Sequence, residues 1–421
     1  MENYTKKPNR LKTTFRSLKY RNYRLFFAGQ SVSLIGTWIQ RIAMPWLVYD
    51  LTKSVFILGL VGFVGQVPTF LLSPFAGVLT DRWNRYHIMI ATQILAMAQA
   101  IILTWLVFNK SIEVWHIVLL SGFLGCINAF DIPARQSFVI KMVDKKEDLG
   151  NAIALNSSMV NGARLLGPSI AGILIATTGE GICFLLNALS YVFVIWSLLL
   201  MKIKPYEKKI ITKSVIKEFK EGFSYTFGSI PIKYTILLLA LVSLMEMPYT
   251  VLMPVFAKEI LHGGSHTFGF LMGASGLGAL TGALYLASRK NISGLDKIIP
   301  LAASAFGAGL IMFSFSRSFA LSLVLLVMVG LGMMLQMASS NTMLQTIVDD
   351  KQRGRVMSFY TMAFMGTAPF GSLLAGSVAK IIGIPNTILI GGISCILGAL
   401  FFIRKLPVIT KAINTHNTHN T

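Results

Sequence analysis

Charge is scarce in this chain of 421 residues. Only 13% of the residues are Asp, Glu, Lys or Arg, while 54% are apolar, and the mean hydropathy is +0.65. A typical soluble domain has about 25% charged residues, so this chain lacks the side chains that would cover a soluble fold of its length. Soluble enzymes, disordered proteins and nucleic-acid-binding modules are therefore excluded. A membrane protein that crosses the bilayer several times remains.

Acidic residues and cysteines are also few. The 17 acidic residues stand against 38 basic ones, which gives a net charge of +21, and the three cysteines lie in apolar runs. An odd number of cysteines without metal-ligand spacing argues against a disulfide framework and a zinc site. The sequence also shows no phosphate-binding loop, no paired ATP-binding sequences and no nucleophile–base arrangement. It therefore predicts no metal site, no cofactor and no enzymatic activity.

Apolar runs, by contrast, are abundant. A membrane helix needs about 20 mostly apolar residues, and twelve runs meet that length, which predicts an all-α integral membrane protein with twelve transmembrane helices. The predicted spans are 24–49, 55–80, 87–109, 115–140, 150–177, 181–201, 232–258, 267–288, 298–315, 319–346, 355–381 and 386–404. The basic N-terminus has no apolar core before residue 25, so we expect no cleavable signal peptide.

The basic residues predict the orientation of the chain, because Lys and Arg concentrate in cytoplasmic connections. Thirty of the 38 fall on the predicted connections, termini and span ends of one side, five fall on those of the other side, and three lie well inside spans. Both termini are therefore predicted to be cytoplasmic.

The sequence repeats itself at an offset of about 205 residues. Corresponding positions are Gly77 and Gly282, Gly125 and Gly330, and the Val-Asp pairs at 143–144 and 348–349. The repeat predicts two pseudo-symmetric six-helix halves. The predicted organisation is a basic N-terminus (1–23), a first half (24–201), a cytoplasmic linker (202–231), a second half (232–404) and a tail (405–421).

Within the linker, apolar residues recur at helical spacing over 213–224 among lysines. This pattern fits an amphipathic helix on the inner membrane surface and, equally, a solvated linker.

The turn after the second span carries a recognisable motif, Gly77-Val-Leu-Thr-Asp81-Arg82-Trp-Asn84-Arg85-Tyr86. It resembles the major facilitator signature G-x-x-x-D-R-x-G-R-[RK]. The resemblance implies a major facilitator fold, in which Gly77, Asp81, Arg82 and Arg85 form a latch that holds the two halves in one state. The chain departs from the signature at Asn84 and at Tyr86. Asn tolerates a left-handed backbone better than most residues, so we expect the turn to survive.

The fifth predicted span contains a second motif, Gly162-Ala-Arg164-Leu-Leu-Gly167-Pro168-Ser-Ile-Ala-Gly172. Its residues Gly162, Gly167, Pro168 and Gly172 look like the glycine-proline motif of major facilitator antiporters. Ordinary packing of small residues between helices is the alternative interpretation.

Three further segments, 36–52, 131–136 and 348–356, resemble the branch that contains the enterobactin exporter and the macrolide-efflux proteins. The likeness extends over roughly residues 15–405. It implies a secondary active transporter in the bacterial cytoplasmic (inner) membrane that exports a small siderophore-like or drug-like molecule by proton antiport and alternating access. The implied partners are that molecule, protons and the lipid bilayer, without nucleic acid, and the chain is expected to be a monomer. An importer, a lysolipid flippase and a non-transporting scaffold or sensor remain alternatives.

Ionisable residues inside the membrane are candidate functional residues, since each costs at least about 2.5–3.5 kcal/mol to insert. Five lie well inside predicted spans, away from the span ends: Arg41, Asp131, Arg135, Arg164 and Glu246. Asp131 and Arg135 are four residues apart and share a helix face with Asn128. Two interpretations stay open, a structural ion pair and a proton-coupling role for Asp131.

Glu246 corresponds to Arg41 in the repeat, so the two are predicted to oppose each other in the outward half. Glu246 would then bind a proton or a cationic group, and Arg41 an anionic substrate; alternatively, both extend to the outer surface. Arg164 is a possible partner of Asp131. Gln40 and Asn128 are candidates for substrate contact or for hydrogen bonds between helices. Three cations against two carboxylates suit a polyanionic chelator better than a cationic drug.

Overall fold

The computed structural model describes residues 15–139, 142, 143, 145–203, 215–289 and 294–419, and the regular structure within these ranges is helical. We number the α-helices in chain order. They are α1 (Arg21–Thr52), α2 (Val55–Arg82), α3 (Arg85–Phe108), α4 (Val114–Val139), α5 (Lys146–Thr178), α6 (Glu180–Leu199), α7 (Val215–Gly228), α8 (Ile230–Val255), α9 (Ser265–Ser288), α10 (Leu295–Phe315), α11 (Phe319–Ile347), α12 (Asp350–Met365), α13 (Ala368–Ile382) and α14 (Ile384–His419). A short 3-10 helix, Arg16–Lys19, precedes α1, and a π-helical turn, Phe256–Ile260, follows α8.

Eleven segments of the described residues are long and apolar enough to cross a membrane. They comprise α2 to α6, α8 with the π-helical turn, α9 to α11, α12 joined to α13, and α14. Helix α1 has 32 residues but is not among the eleven. It carries Arg41 and the buried amides Gln30 and Gln40, which reduce its apolar content.

The helices pack in two sets. In the first set, α1 contacts α5 and α6, α2 contacts α4, and α3 contacts α4 and α6. In the second set, α11 contacts α9 and α10, while α14 contacts α8 and α10, and α8 contacts α13. The sets meet mainly where α5 packs on α9 and where α2 packs on α13. We refer to α1–α6 as the first set and to α8–α14 as the second set.

Paired glycines let the two sets approach closely. A Cβ on Gly59 of α2 would lie 2.9 Å from the Cα of Gly376 on α13, and a Cβ on Gly172 of α5 would lie 2.9 Å from the Cα of Gly269 on α9. Without side chains at these positions, the backbones touch. All four glycines belong to the helix halves nearer the predicted outer end, so the two sets are closed against each other there.

The turn between α2 and α3 differs from the conformation that we expected for Asn84. This residue has φ −71° and ψ 108°, so it is extended rather than left-handed. Its side-chain oxygen accepts a hydrogen bond from the backbone N–H of Tyr86 at 3.1 Å, which satisfies one free donor at the start of α3. The Tyr86 hydroxyl in turn donates to the Leu198 carbonyl at 3.2 Å. The two departures from the family signature therefore act as a helix cap and a helix contact.

The linker helix α7 contacts α12, which the two predicted alternatives, a membrane-surface helix and a solvated linker, did not include. The Glu221 carboxylate lies 2.9 Å from the Arg355 guanidinium, and Phe223 and Phe227 both contact the ring of Phe359. Phe223, which belongs to the predicted apolar stretch, contacts α12 on one side and stays 50% exposed. Residues 204–214 of the linker lie outside the described residues.

The 3-10 helix before α1 is attached in a similar way to the start of α5. The Asp148 carboxylate lies 3.2 Å from the Arg16 guanidinium and 2.6 Å from the Lys19 ammonium, and it accepts a hydrogen bond from the Tyr20 hydroxyl at 2.7 Å. The hydrogen bond to Asp148 raises the pKa of Lys19. Part of the basic N-terminus is therefore fixed to the first helix set.

Candidate functional site

A cluster of charged and aromatic side chains lies where the two helix sets meet. Trp38 of α1 is at its centre. The guanidinium carbon of Arg41 lies 5.1 Å from the centroid of the Trp38 ring, and that of Arg164 on α5 lies 6.0 Å from it. Gly167 of α5 makes this arrangement possible, because a Cβ there would overlap the Cβ of Trp38.

Glu246 of α8 is the acidic partner of Arg164. The distance from Arg164 Nη2 to Glu246 Oε1 is 4.0 Å, and the two side chains are 20% and 11% exposed. The pair joins the first helix set to the second. Arg164 reaches this position because α5 packs directly on α9, where a Cβ on Gly276 would lie 2.8 Å from the Arg164 carbonyl. The Sδ atom of Met333 on α11 also contacts Arg164, at 3.7 Å.

The predicted opposition of Arg41 and Glu246 is therefore wrong in its pairing, since Arg164 faces Glu246. The two repeat-related helices do supply both residues, but the close packing of α5 on α9 brings the guanidinium of Arg164 nearer to the carboxylate.

The Arg41 side chain is exposed, and its guanidinium lies over the Trp38 ring. Arg135 on α4 and Arg164 on α5 are close enough for their positive charges to act on it, and its ring contact is with Trp38, one turn nearer the predicted cytoplasmic end. These neighbours argue against a side chain that extends to the outer surface. Within the described part of the chain, no acidic side chain forms an ion pair with Arg41.

Asp131 of α4 is held by three donors from the first set. Its carboxylate accepts hydrogen bonds from Thr92 at 3.0 Å and from Gln93 at 2.7 Å, and it lies 3.2 Å from the Arg135 guanidinium. Asp131 is 5% exposed. The alternative pairing with Arg164 is not observed, because Arg135 occupies that place. The ion pair and both hydrogen-bond donors thus lie within one helix set.

The two amide candidates differ in their surroundings. Gln40 is buried and donates to the side-chain oxygen of Gln99 at 3.1 Å, while its own oxygen accepts from Asn187 at 2.7 Å. Its amide is therefore engaged in hydrogen bonds between α1, α3 and α6. Asn128 is half-buried, one turn before Asp131.

A second group of contacts between the sets lies near the predicted outer end, and we call it the outer cluster. It consists of Tyr49 and Asp50 of α1 and Lys258 and Glu259 of the π-helical turn. Lys258 Nζ lies 2.8 Å from Asp50 Oδ1, and the Tyr49 hydroxyl donates to Glu259 Oε1 at 3.0 Å. One turn before, Trp46 stacks on Phe268 of α9 with ring centroids 6.2 Å apart.

The glycine-proline motif lies at helix contacts. Gly167 faces Trp38, Gly172 faces Gly269, and a Cβ on Gly269 would approach the Pro168 carbonyl to 2.5 Å. No other group lies within 4 Å of the position that a Cβ on Gly162 would occupy. Three motif residues thus define how closely α5 approaches α1 and α9.

Most side chains of the predicted latch lie outside the described part of the structure. Gly77, Asp81 and Arg82 belong to the end of α2, where nothing is described of the Asp81 and Arg82 side chains, and Arg85 begins α3. Their latch role stays a prediction.

Sequence reasoning missed Trp38 and the outer cluster as candidate sites. All the α1 members lie in the segment 36–52, and Trp38 precedes Arg41 by three residues, which places both on one helix face. That spacing was a usable signal for Trp38. The π-helical turn that presents Lys258 and Glu259 had no such signal.

Comparison with known proteins extends these findings. The family model described as transmembrane secretion effector matches residues 12–420. The chain is 27% identical to the staphyloferrin A transporter of Staphylococcus aureus (strain NCTC 8325 / PS 47), over 93% of this chain and 98% of that protein. It is 23% identical to macrolide efflux protein A of Streptococcus pyogenes, over 93% and 99% of the two chains.

Among solved structures, a POT family transporter in complex with a thioalcohol-conjugated peptide is similar, with a TM-score of 0.76 and 13% identity over 94% of this chain and 100% of that one. At that identity the likeness shows the fold alone. The match over nearly the whole sequence places this multi-pass membrane protein in the major facilitator superfamily, within the family of transmembrane secretion effectors.

Proposed function

We propose that this protein is a secondary active transporter that exports a small organic molecule, siderophore-like or drug-like, from the cytoplasm by alternating access and proton antiport. The names of the relatives, a staphyloferrin A transporter and a macrolide efflux protein, support both substrate classes. In this proposal α1 is a twelfth span, residues 24–201 and 232–404 form two pseudo-symmetric halves, and both termini are cytoplasmic. The transporter acts as a monomer in the bacterial inner membrane.

The observation that carries the proposal is the Arg164–Glu246 pair between the two helix sets. Alternating access requires the sets to move against each other. The distance between two charged groups that bridge the sets therefore changes with the state of the transporter. In the membrane interior a carboxylate is neutralised by a cation or by a proton. Separation of Glu246 from Arg164 therefore favours proton binding, and their approach favours proton release.

The second carboxylate, Asp131, is the other candidate for proton coupling. Its donors, Thr92, Gln93 and Arg135, all belong to the first helix set. Because these partners move together with Asp131, its protonation is less dependent on motion between the sets. We therefore place the coupling at Glu246 first.

The closed contacts near the predicted outer end support loading from the cytoplasm. Gly59 with Gly376, and Gly172 with Gly269, leave no room between the backbones there. A substrate would then enter from the opposite end of the bundle.

Transport in membrane vesicles of known orientation tests the proposal. Labelled erythromycin serves as the drug-like probe, a labelled lysophospholipid tests flippase activity, and metabolite profiling of a deletion strain identifies the natural substrate class.

An exporter accumulates its substrate in inverted vesicles with an acidic interior and loses the accumulation when a protonophore is added. Accumulation in right-side-out vesicles would indicate an importer, and absence of flux for every compound that the deletion strain retains would indicate a scaffold or sensor.

Variants separate the two carboxylates. We expect Glu246→Gln to abolish proton-driven accumulation while substrate exchange in the absence of a gradient continues. The exposed Arg404 of α14 offers a control, Arg404→Gln, that should transport like the unmodified protein. Unchanged proton-driven transport in Glu246→Gln, with loss in Asp131→Asn at normal folding, would move the coupling site to Asp131.

A further inference from the structure

We infer that Arg41, together with the Trp38 ring and Arg164, forms a binding site for a carboxylate group of the transported molecule. The inference rests on the proposed function in that the ligand is the exported molecule. It specifies the charge of the substrate, which the proposed function leaves open. It also adds Trp38, a residue to which the sequence motifs assign no role.

Arg41 is the cation of this region that lacks a counter-charge. Arg135 is paired with Asp131, and Arg164 is paired with Glu246, whereas no acidic side chain in the described ranges pairs with Arg41. A guanidinium inside a membrane helix is expensive to maintain, and its side chain stays exposed here although its neighbours lie in the bundle. An exposed cation in the bundle interior that has no acidic partner among the described residues is suited to bind an anion reversibly.

The geometry holds the Arg41 guanidinium in place. Trp38 lies beneath it at 5.1 Å and also contacts Arg164 at 6.0 Å, so one aromatic ring orients two guanidiniums through cation–π contacts. Trp38 itself is fixed because Gly167 leaves space for it on α5. A planar guanidinium with parallel donors matches the two oxygens of a carboxylate.

The sign of the charge follows from the same cluster. With Arg135 and Arg164 balanced by Asp131 and Glu246, Arg41 leaves one positive charge uncompensated among the described residues of this cluster. That charge repels a cationic group and attracts an anionic one. Glu246 already neutralises Arg164, so the coupling pair and the anion site are neighbours across the Trp38 ring.

Binding of citrate to the purified full-length transporter tests this inference independently of transport. We expect saturable citrate binding by isothermal titration calorimetry. The affinity for citrate should fall at least tenfold in Arg41→Gln. It should fall less in Arg41→Lys, which keeps the positive charge but loses the two parallel N–H donors of the guanidinium. The matched control Arg404→Gln should bind citrate like the unmodified protein. The cationic probe tetraphenylphosphonium should not compete with citrate.

A second measurement needs no variant and covers the case in which Arg41→Gln fails to fold. Citrate should protect Arg41 of the unmodified protein from phenylglyoxal, detected by mass spectrometry of the peptides, and should leave the reaction of Arg404 unchanged. Equal citrate affinity in folded Arg41→Gln, or equal modification of Arg41 with and without citrate, would overturn the inference. Vesicle transport that fails while citrate protection persists would count against the proposed function alone.

Discussion

Trp38, Arg41, Arg164 and Glu246 come from three helices and form one cluster at the contact between the two helix sets. Their proximity depends on small residues rather than on the charges themselves. Gly167 admits Trp38, and Gly276 lets α9 approach the backbone at Arg164. At the residue scale, the positions without side chains therefore determine where the charged side chains meet.

The glycines of α5 provide a prediction at this scale. A Cβ on Gly172 would meet the Gly269 Cα at 2.9 Å and the Ser265 carbonyl at 2.8 Å, and backbone atoms of a packed helix cannot easily move aside. We expect Gly172→Ala to destabilise the protein by about 1–3 kcal/mol, as overpacking does, and to lower the melting temperature in detergent.

Gly162 of the same helix supplies the matched control. No neighbouring group lies within 4 Å of a Cβ there, so Gly162→Ala should stabilise the helix slightly, by up to about 1 kcal/mol. If the two alanine variants melted at the same temperature, close packing at Gly172 would not be the reason for that glycine.

At the scale of elements, the end of α1 and the π-helical turn form the outer cluster. Lys258 and Asp50 connect the two sets through an ion pair, and Tyr49 donates to Glu259 beside it. The cluster joins the two sets at the predicted outer end, and under the proposed alternating access it would separate when that end opens.

Loss of the Lys258–Asp50 pair should shift the protein toward an open outer end. An exposed ion pair contributes about 0.2–1 kcal/mol, so we expect Lys258→Gln to change the ratio of the two states by up to about fivefold. Distance measurements by electron paramagnetic resonance between spin labels at Leu51 and Ile381, exposed ends of α1 and α13, should report a larger population of long distances.

Lys53 is the control for this measurement. It lies 2.6 Å from the same Asp50 carboxylate but belongs to the first helix set, so it does not bridge the sets. Lys53→Gln should leave the distance distribution unchanged. A similar shift in both variants would indicate a general effect of charge and would contradict the role of the Lys258 pair.

At the scale of the whole molecule, the distribution of basic residues predicts the orientation in the membrane. Alkaline phosphatase fused after Lys411 should be inactive, and green fluorescent protein at the same place should fluoresce, because this end is predicted to be cytoplasmic. Alkaline phosphatase inserted after Lys110, between α3 and α4, should be active. The reverse pattern at either site would contradict the predicted topology.

The 3-10 helix before α1 and the helix α7 before α8 show how the N-terminal end of each helix set is attached to the rest of that set. The 3-10 helix attaches to the start of α5 through Asp148, and α7 attaches to α12 through Arg355 and Phe359. Helix α7 stays with the second set in the contacts described. Sequence periodicity predicted the apolar face of α7, while the helix that contacts it depended on the fold.

The sequence by itself determined that this chain is a helical membrane protein of the major facilitator superfamily and that Arg41, Arg164 and Glu246 were candidates. Low charge, apolar runs and spaced motifs are local properties, and a membrane restricts a chain with such properties to helices that satisfy their own backbone hydrogen bonds. The same reasoning predicted that Asp131 and Arg135 share one helix face, where they pair.

Tertiary structure alone decided which charges meet. The repeat suggested Arg41 as the partner of Glu246, but the partner is Arg164, because the close packing of α5 on α9 sets the distance between helices that are far apart in sequence. Within the described residues Arg41 has no acidic partner, and Trp38 lies within cation–π distance of two guanidiniums. Periodicity identifies the face on which a side chain lies, whereas the side chain opposite to it depends on contacts between distant helices.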